Sequence, residues 1–190
     1  MVSLDRRVQE LLSAGDERRA ATEAITGLGP DVLRYLRSIL RDEEDAADAF
    51  SQFAENLWTA IRSFQGRSSL KTWALRIASN AAINLRNDAF RRRGRRLATS
   101  EVSALVAEIR NSSIVSDERQ RQALDELRRS LSRDEQTLLA LRIDQGLSWD
   151  ETAEVLSEIG PPVAPAALMK RFERLKARLA RAARDKGLLE

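Results

Sequence analysis

Residues 69–86, SLKTWALRIASNAAINLR, decide the fold class. Leu70, Trp73, Ile77, Ala81 and Leu85 recur at steps of three or four, which places them on one stripe of a 3.6-residue helix. Ser69 stands where an N-cap is needed, since its hydroxyl can accept from the free backbone N–H groups of a first turn. The spacing predicts a helix from Leu70 to about Phe90. Just upstream, 43–64 (EEDAADAFSQFAENLWTAIRSF) repeats the pattern through Ala46, Phe50, Phe53, Leu57, Ile61 and Phe64, behind Asp42 as a second N-cap. No stretch sustains a period of two, so strands are not expected and the chain reads as all-α.

Outward from this pair, breakers mark the junctions. Glycine falls at 15, 27, 29, 66, 94, 146, 160 and 187, and no proline occurs between Asp31 and Gly160, which implies helices between these points. Residues 95–116, RRLATSEVSALVAEIRNSSIVS, have weak periodicity and read as a linker with a short helix near 102–109. Helices are then expected at about 117–130, 133–145 and 149–157, the last two opened by the capping boxes Ser132–Glu135 and Ser148–Glu151. Gly160, Pro161, Pro162 and Pro165 interrupt the chain before a basic helix at about 166–186. The expected architecture is two small helical domains, 1–96 and 116–190, joined by a flexible linker, 97–115. A basic helix closing a helix–turn–helix is a layout used to read DNA, though any small bundle shares its generic form.

Composition excludes several chemistries. The 190 residues, 43% hydrophobic and 32% charged, suffice for buried cores. Neither cysteine nor histidine occurs, which rules out disulfides, thiolate or imidazole metal sites and any histidine-assisted nucleophile. No apolar run approaches the roughly 20 residues of a membrane span, so a cytoplasmic protein without membrane insertion is expected. The net charge of +3 conceals alternating blocks. Residues 1–63 hold 8 Lys/Arg against 12 Asp/Glu, and 64–96 hold 9 against 1. Residues 132–158 hold 2 against 7, and 168–186 hold 8 against 2. Basic blocks of this kind are candidate phosphate footprints, whereas a single one is as readily a solvated helix face.

In TWALRIASN, 72–80, the residues Trp73, Ile77, Ala78 and Asn80 are followed by Arg86 and preceded by Ala46, Asp48, Leu57 and Trp58. With their surroundings, residues 15–93, they resemble region 2 of the sigma-70 factors of the extracytoplasmic-function group. ALDELRRSLSRDEQTLLALRIDQGLSWDETAEVL, 123–156, and ALMKRFERLKARL, 167–179, resemble region 4 of the same group. The resemblance implies a promoter-specificity and promoter-opening subunit of bacterial RNA polymerase. It would have no catalysis, cofactor or metal of its own, and its partners would be core polymerase, promoter DNA and, in many members, an anti-sigma protein.

The resemblance also implies roles for residues. Asp48, Ser51, Gln52, Glu55 and Asn56 would dock on the clamp of the polymerase beta-prime subunit, and the second domain on the beta flap. Without the resemblance, these five read as the wet face of an amphipathic helix. The loop 64–69 would capture a base flipped out of the proximal promoter element. Gln65, Arg67, Ser68, Ser69, Lys71, Arg76 and Asn80 supply hydrogen-bonding edges and cations for that task. Arg86, Arg91, Arg92 and Arg93 would contact phosphates without reading sequence. Trp73, lying on the apolar stripe, is expected in the core rather than against a base. In the last helix, Lys170, Arg171, Arg174, Lys176 and Arg178 would read the distal element, arginine being suited to guanine by its planar fork.

The sequence departs from the family where Ser51-Gln52 replaces a Gln-Glu pair and Asn84 an aspartate. It departs again where the turn SEIGPPVAPAAL, 157–168, is longer, Ala166-Ala167 replaces Gly-Thr, and Met169 a lysine. Two alternatives stand beside the main reading. One is a divergent relative that binds polymerase or a partner but no longer reads DNA. The other is a helical hydrolase using Glu43, Glu44, Asp45 and Asp48, although acids that open a helix are favoured there by its dipole.

Overall fold

The computed structural model describes residues 3–87 and 130–185. The expected linker, all but the last residue of the helix expected at about 117–130, and the cations Arg91, Arg92 and Arg93 lie outside the described residues. Those residues are helical throughout their regular structure, and no helix among them is long and apolar enough to cross a membrane.

Four helices build the first bundle: α1, Leu4–Ser13; α2, Glu17–Leu40; α3, Glu43–Ala60; and α4, Leu70–Asn87. Asp42 caps α3 as expected, its Oδ1 accepting from the Asp45 N–H at 2.8 Å. The helix ends at Ala60, short of Phe64, because the chain tightens into a 3-10 turn over Ile61–Ser63. The stripe of α3 is buried as read, from Ala46 to Phe64. On α4 the fully buried line is instead Leu70, Ala74, Leu75, Ala78, Ala81 and Ala82, with Trp73, Ile77 and Leu85 at its half-buried margin. The bundle wraps α4 from both sides, so its burial centre is displaced from the stripe of large residues toward the small ones. Inside, the Tyr35 hydroxyl and Ser79 Oγ are 2.8 Å apart, and burial pushes the phenol up to about 12.

One expectation fails in α2. Gly27 and Gly29 were expected at a junction, yet they lie, with Pro30, inside this 24-residue helix. A Cβ on Gly27 would stand 2.6 Å from Leu4 Cδ2, so this glycine serves the close approach of α1 rather than a turn. The helix stops instead at Arg41, a non-glycine residue at φ 63° whose N–H donates to the Arg37 carbonyl at 3.3 Å. Left-handed backbone costs a side chain about 1–2 kcal/mol. Arg41 holds it while donating to Gln136 Oε1 at 2.9 Å and the Leu131 carbonyl at 2.7 Å.

The second group comprises α5, Arg133–Leu139; α6, Trp149–Ser157; and α7, Pro165–Asp185. Both capping boxes form. The helix expected to reach 145 widens at its end into a π-helical turn over Ala140–Asp144. Pro165 opens α7, the position where a missing N–H costs nothing. Leu138, Leu168 and Phe172 form the core beneath α7, with Trp149 set edge-on to Phe172 at 5.5 Å.

The two groups are packed together. Ala140, Leu141, Leu147 and Val155 are buried in the same apolar core as the first bundle. Full burial of an aliphatic side chain is worth about 1.5–3 kcal/mol, so Leu141 and Val155 make this seam a substantial contact.

Candidate nucleic-acid interface

The loop between α3 and α4 is shaped by what flanks it. Phe64 is buried and its ring stacks at a tilt on Trp73, centroids 5.2 Å apart, which places Trp73 in packing rather than facing outward as a base platform. Gly66 follows at φ 66°, in the left-handed region that only glycine enters freely. Gln65 and Arg67 at the loop tip are exposed. Ser69 closes the loop as the N-cap of α4, its Oγ accepting from the Thr72 N–H at 3.1 Å.

Helix α1 also holds this loop, which the sequence did not reveal. Asp5 Oδ2 accepts from the Leu70 N–H at 2.9 Å, and Gln9 lies directly over Gly66. A carboxylate at a helix N-terminus satisfies a free N–H and favours the dipole. Asp5→Ala is expected to lower stability by about 1 kcal/mol, read as a lower urea midpoint at unchanged slope. An unchanged midpoint would remove Asp5 as a cap. No local signal could have found it, because cap and helix are separated by most of the bundle's sequence.

The polar side of α4 is covered. Lys71 Nζ donates to the Gln145 carbonyl at 2.8 Å and lies 3.5 Å from Asp31. Arg76 pairs with Glu154 at 2.8 Å and with Glu158 through both Nε and Nη2. Asn80 donates to Glu158 at 3.3 Å, and Glu151 accepts from Ser69 at 3.1 Å and Thr72 at 2.8 Å. Burial alone would lower the Arg76 pKa, but the two glutamates outweigh it and raise it. Arg76 hydrogen bonding, aided by Asn80, holds the Glu158 carboxyl below its ordinary range. Burial pushes Glu151 up, yet the Ser148 N–H and hydroxyl, with Thr72 and Ser69, bring it below as well.

A carboxylate with depressed pKa contributes stability above its ordinary value of 4.5, and this is lost as pH falls through the folded value. The groups facing these acids are Arg76 and Asn80 on Glu158, with Glu154 also on Arg76, and the Ser69 and Thr72 hydroxyls on Glu151. Acidification from pH ~6 to ~3 is therefore expected to destabilise the wild type more than Glu158→Gln. Equal acid sensitivity of the two urea midpoints would contradict the assignment.

The remaining expected site residues divide clearly. On α3, Gln52 is exposed and donates to Asn56 Oδ1 at 3.0 Å, while Ser51 bonds its own helix at the Ala47 carbonyl. Asp48 and Glu55 are partly exposed, and burial raises Glu55. Arg86 is turned inward, half-buried and donating to the Ile39 carbonyl at the end of α2, which makes it a helix-end anchor. On α7, Lys170, Arg171 and Arg174 are exposed, opposite the buried Leu168, Phe172 and Leu175. Lys176 pairs with Glu173 at 2.8 Å, and Arg178 with Glu135 at 2.6 Å. The acids that open α3 do not converge: Arg37 takes Glu43 at 2.9 Å, and no acidic cluster fit for a metal exists among the described residues.

Comparison with known proteins gives the arrangement its relatives. The family model for sigma-70 region 2 matches residues 24–96, which cover the α2–α4 bundle from within α2 onward. The chain is 30% identical over 135 residues to the ECF RNA polymerase sigma factor SigX of Bacillus subtilis (strain 168). That alignment spans 66% of this chain and 66% of SigX, just under two thirds of the relative's length. Among solved structures, CnrH in complex with the cytosolic domain of CnrY is similar in fold, with a TM-score of 0.62 and 21% identity. The match covers 96% of this chain and 99% of that one.

Proposed function

We propose that the chain is a sigma-70 factor of the extracytoplasmic-function type, a promoter-specificity and promoter-opening subunit of bacterial RNA polymerase. The observation that carries this is the region 2 match falling on α2–α4, where an outward acidic face on α3 adjoins the cationic loop and face of α4. A promoter factor must meet polymerase with one surface and DNA with another, and these two faces suit those tasks. In this reading Asp48, Ser51, Gln52, Glu55 and Asn56 dock on the polymerase clamp. Gln65, Arg67 and Ser68 capture an unstacked base, and Lys71, Arg76 and Asn80 hold the strand. The protein contributes binding and positioning, not bond chemistry. The likeness to CnrH, solved with part of CnrY, supports a place for an anti-sigma partner too. The test is co-elution of the purified chain with core polymerase; failure to co-elute would sink the proposal.

Helix α7 is proposed to read the distal element, supported by its row of exposed Lys170, Arg171 and Arg174. Substituting either arginine by alanine is expected to cost roughly 1–3 kcal/mol and to relax preference at one base position. Arg181→Ala should weaken binding evenly and lower the salt slope by about one. The alternative, a relative that no longer reads DNA, predicts no change in promoter choice from any of the three. Selection on a randomised distal element at two salt concentrations decides between them.

A further inference from the structure

We propose that α1 is a brace that sets the shape of the base-capture loop, with Gln9 as its positioning residue. This rests on the reading of the loop given under the proposed function. Asp5 and Gln9 are four apart and so share one side of α1. The two points they hold, Gly66 and Leu70, are also four apart and bracket Arg67, Ser68 and Ser69. At one end the Asp5 carboxylate accepts from the Leu70 N–H at 2.9 Å. At the other, the Gln9 amide fills the space in which any residue but glycine would carry its Cβ at position 66.

The brace is itself fixed to the bundle. Val8 is buried, Leu4 lies against Gly27, and Arg7 pairs with Glu23 of α2 at 2.7 Å. A loop held at both ends by one helix face has less freedom left to lose when it closes on a base. Glycine loses more freedom than any other residue on being ordered, so Gly66 is the point where a brace gains most. Docking of α1 does not need Gln9, which is exposed beside the loop rather than part of the core. Gln65 and Arg67, on either side of the braced glycine, keep their polar ends exposed for a strand.

The experiment uses the full chain with core polymerase and compares Gln9→Ala with Gln9→Met, which keeps an unbranched side chain of similar length and lacks the amide. Transcription is measured from a duplex promoter and from the same promoter unpaired over its proximal element. Gln9→Ala is expected to lower the duplex rate about tenfold, the order that one freed backbone residue gives, with the unpaired template within about twofold. Polymerase co-elution and the urea midpoint should not change, and discrimination among the four bases at one proximal position should fall. Gln9→Met should restore most of the loss. Full duplex activity of Gln9→Ala, or an equal loss on both templates, would overturn the brace. Failure of Gln9→Met to rescue would overturn it too, by assigning the amide to direct contact with the strand. Replacing Gln65, Arg67 and Ser68 by alanine in the same assay separates the brace from the reading beneath it. If that variant loses duplex activity and Gln9→Ala does not, the brace fails and capture by the loop stands. If it keeps full duplex activity, capture by the loop fails and the brace fails with it.

Discussion

Replacing Gln65, Arg67 and Ser68 together by alanine is expected to reduce transcription from duplex promoters on the order of 100-fold, with polymerase binding unchanged. Unstacking a base costs a few kcal/mol, which in the proposed reading the loop offsets. Gly66 and Ser69 are kept in this variant because the first sits at a positive φ and the second caps α4, so changing them would disturb the helix as well. A template with the proximal element already unpaired should restore most of the lost activity. Full activity of the triple variant on duplex DNA would remove the loop from strand opening.

Charge reversal on α3, Asp48→Lys with Glu55→Lys, should abolish co-elution with core polymerase while leaving the thermal midpoint within a few degrees. Both side chains point outward from a helix whose opposite face carries the buried Phe50, Phe53 and Leu57. Burial raises the Glu55 carboxyl, and no hydrogen bond or ion pair holds its side chain among the described residues, so docking opposite a cation would satisfy it. Losing charge complementarity at a docked interface costs about 2–5 kcal/mol, enough for a thirtyfold or greater weakening. Undiminished co-elution would move the docking surface off α3.

The helices were legible because their signals are local. Asp42, Ser69, Ser132 and Ser148 cap the helices they precede, and the apolar stripe of α3 is buried as spaced. Misreadings arose where distant residues decide the outcome. Gly27 looks like a breaker until Leu4 is seen packed on it. Arg86 looks like a phosphate contact until the end of α2 takes its guanidinium. Asp5 carries no mark of capping a helix that begins 65 residues later. The loop and α4 were expected as strand contacts from the family resemblance, with residue types that suit the task. Their cover by α6 was not, since the acidic block at 132–158 announces a charge but not what it faces. Charge alternation along a chain gives the partners of a contact only after the fold has brought the blocks together.

The most direct measurement of the central claim is transcription by core polymerase from a library of randomised promoters, sequenced at the transcript ends with and without this chain. The account predicts that adding the chain concentrates initiation on templates sharing a proximal and a distal element at fixed spacing, and that the loop variant erases this enrichment. An identical distribution of start sites with and without the chain, under conditions where the two co-elute, would contradict it.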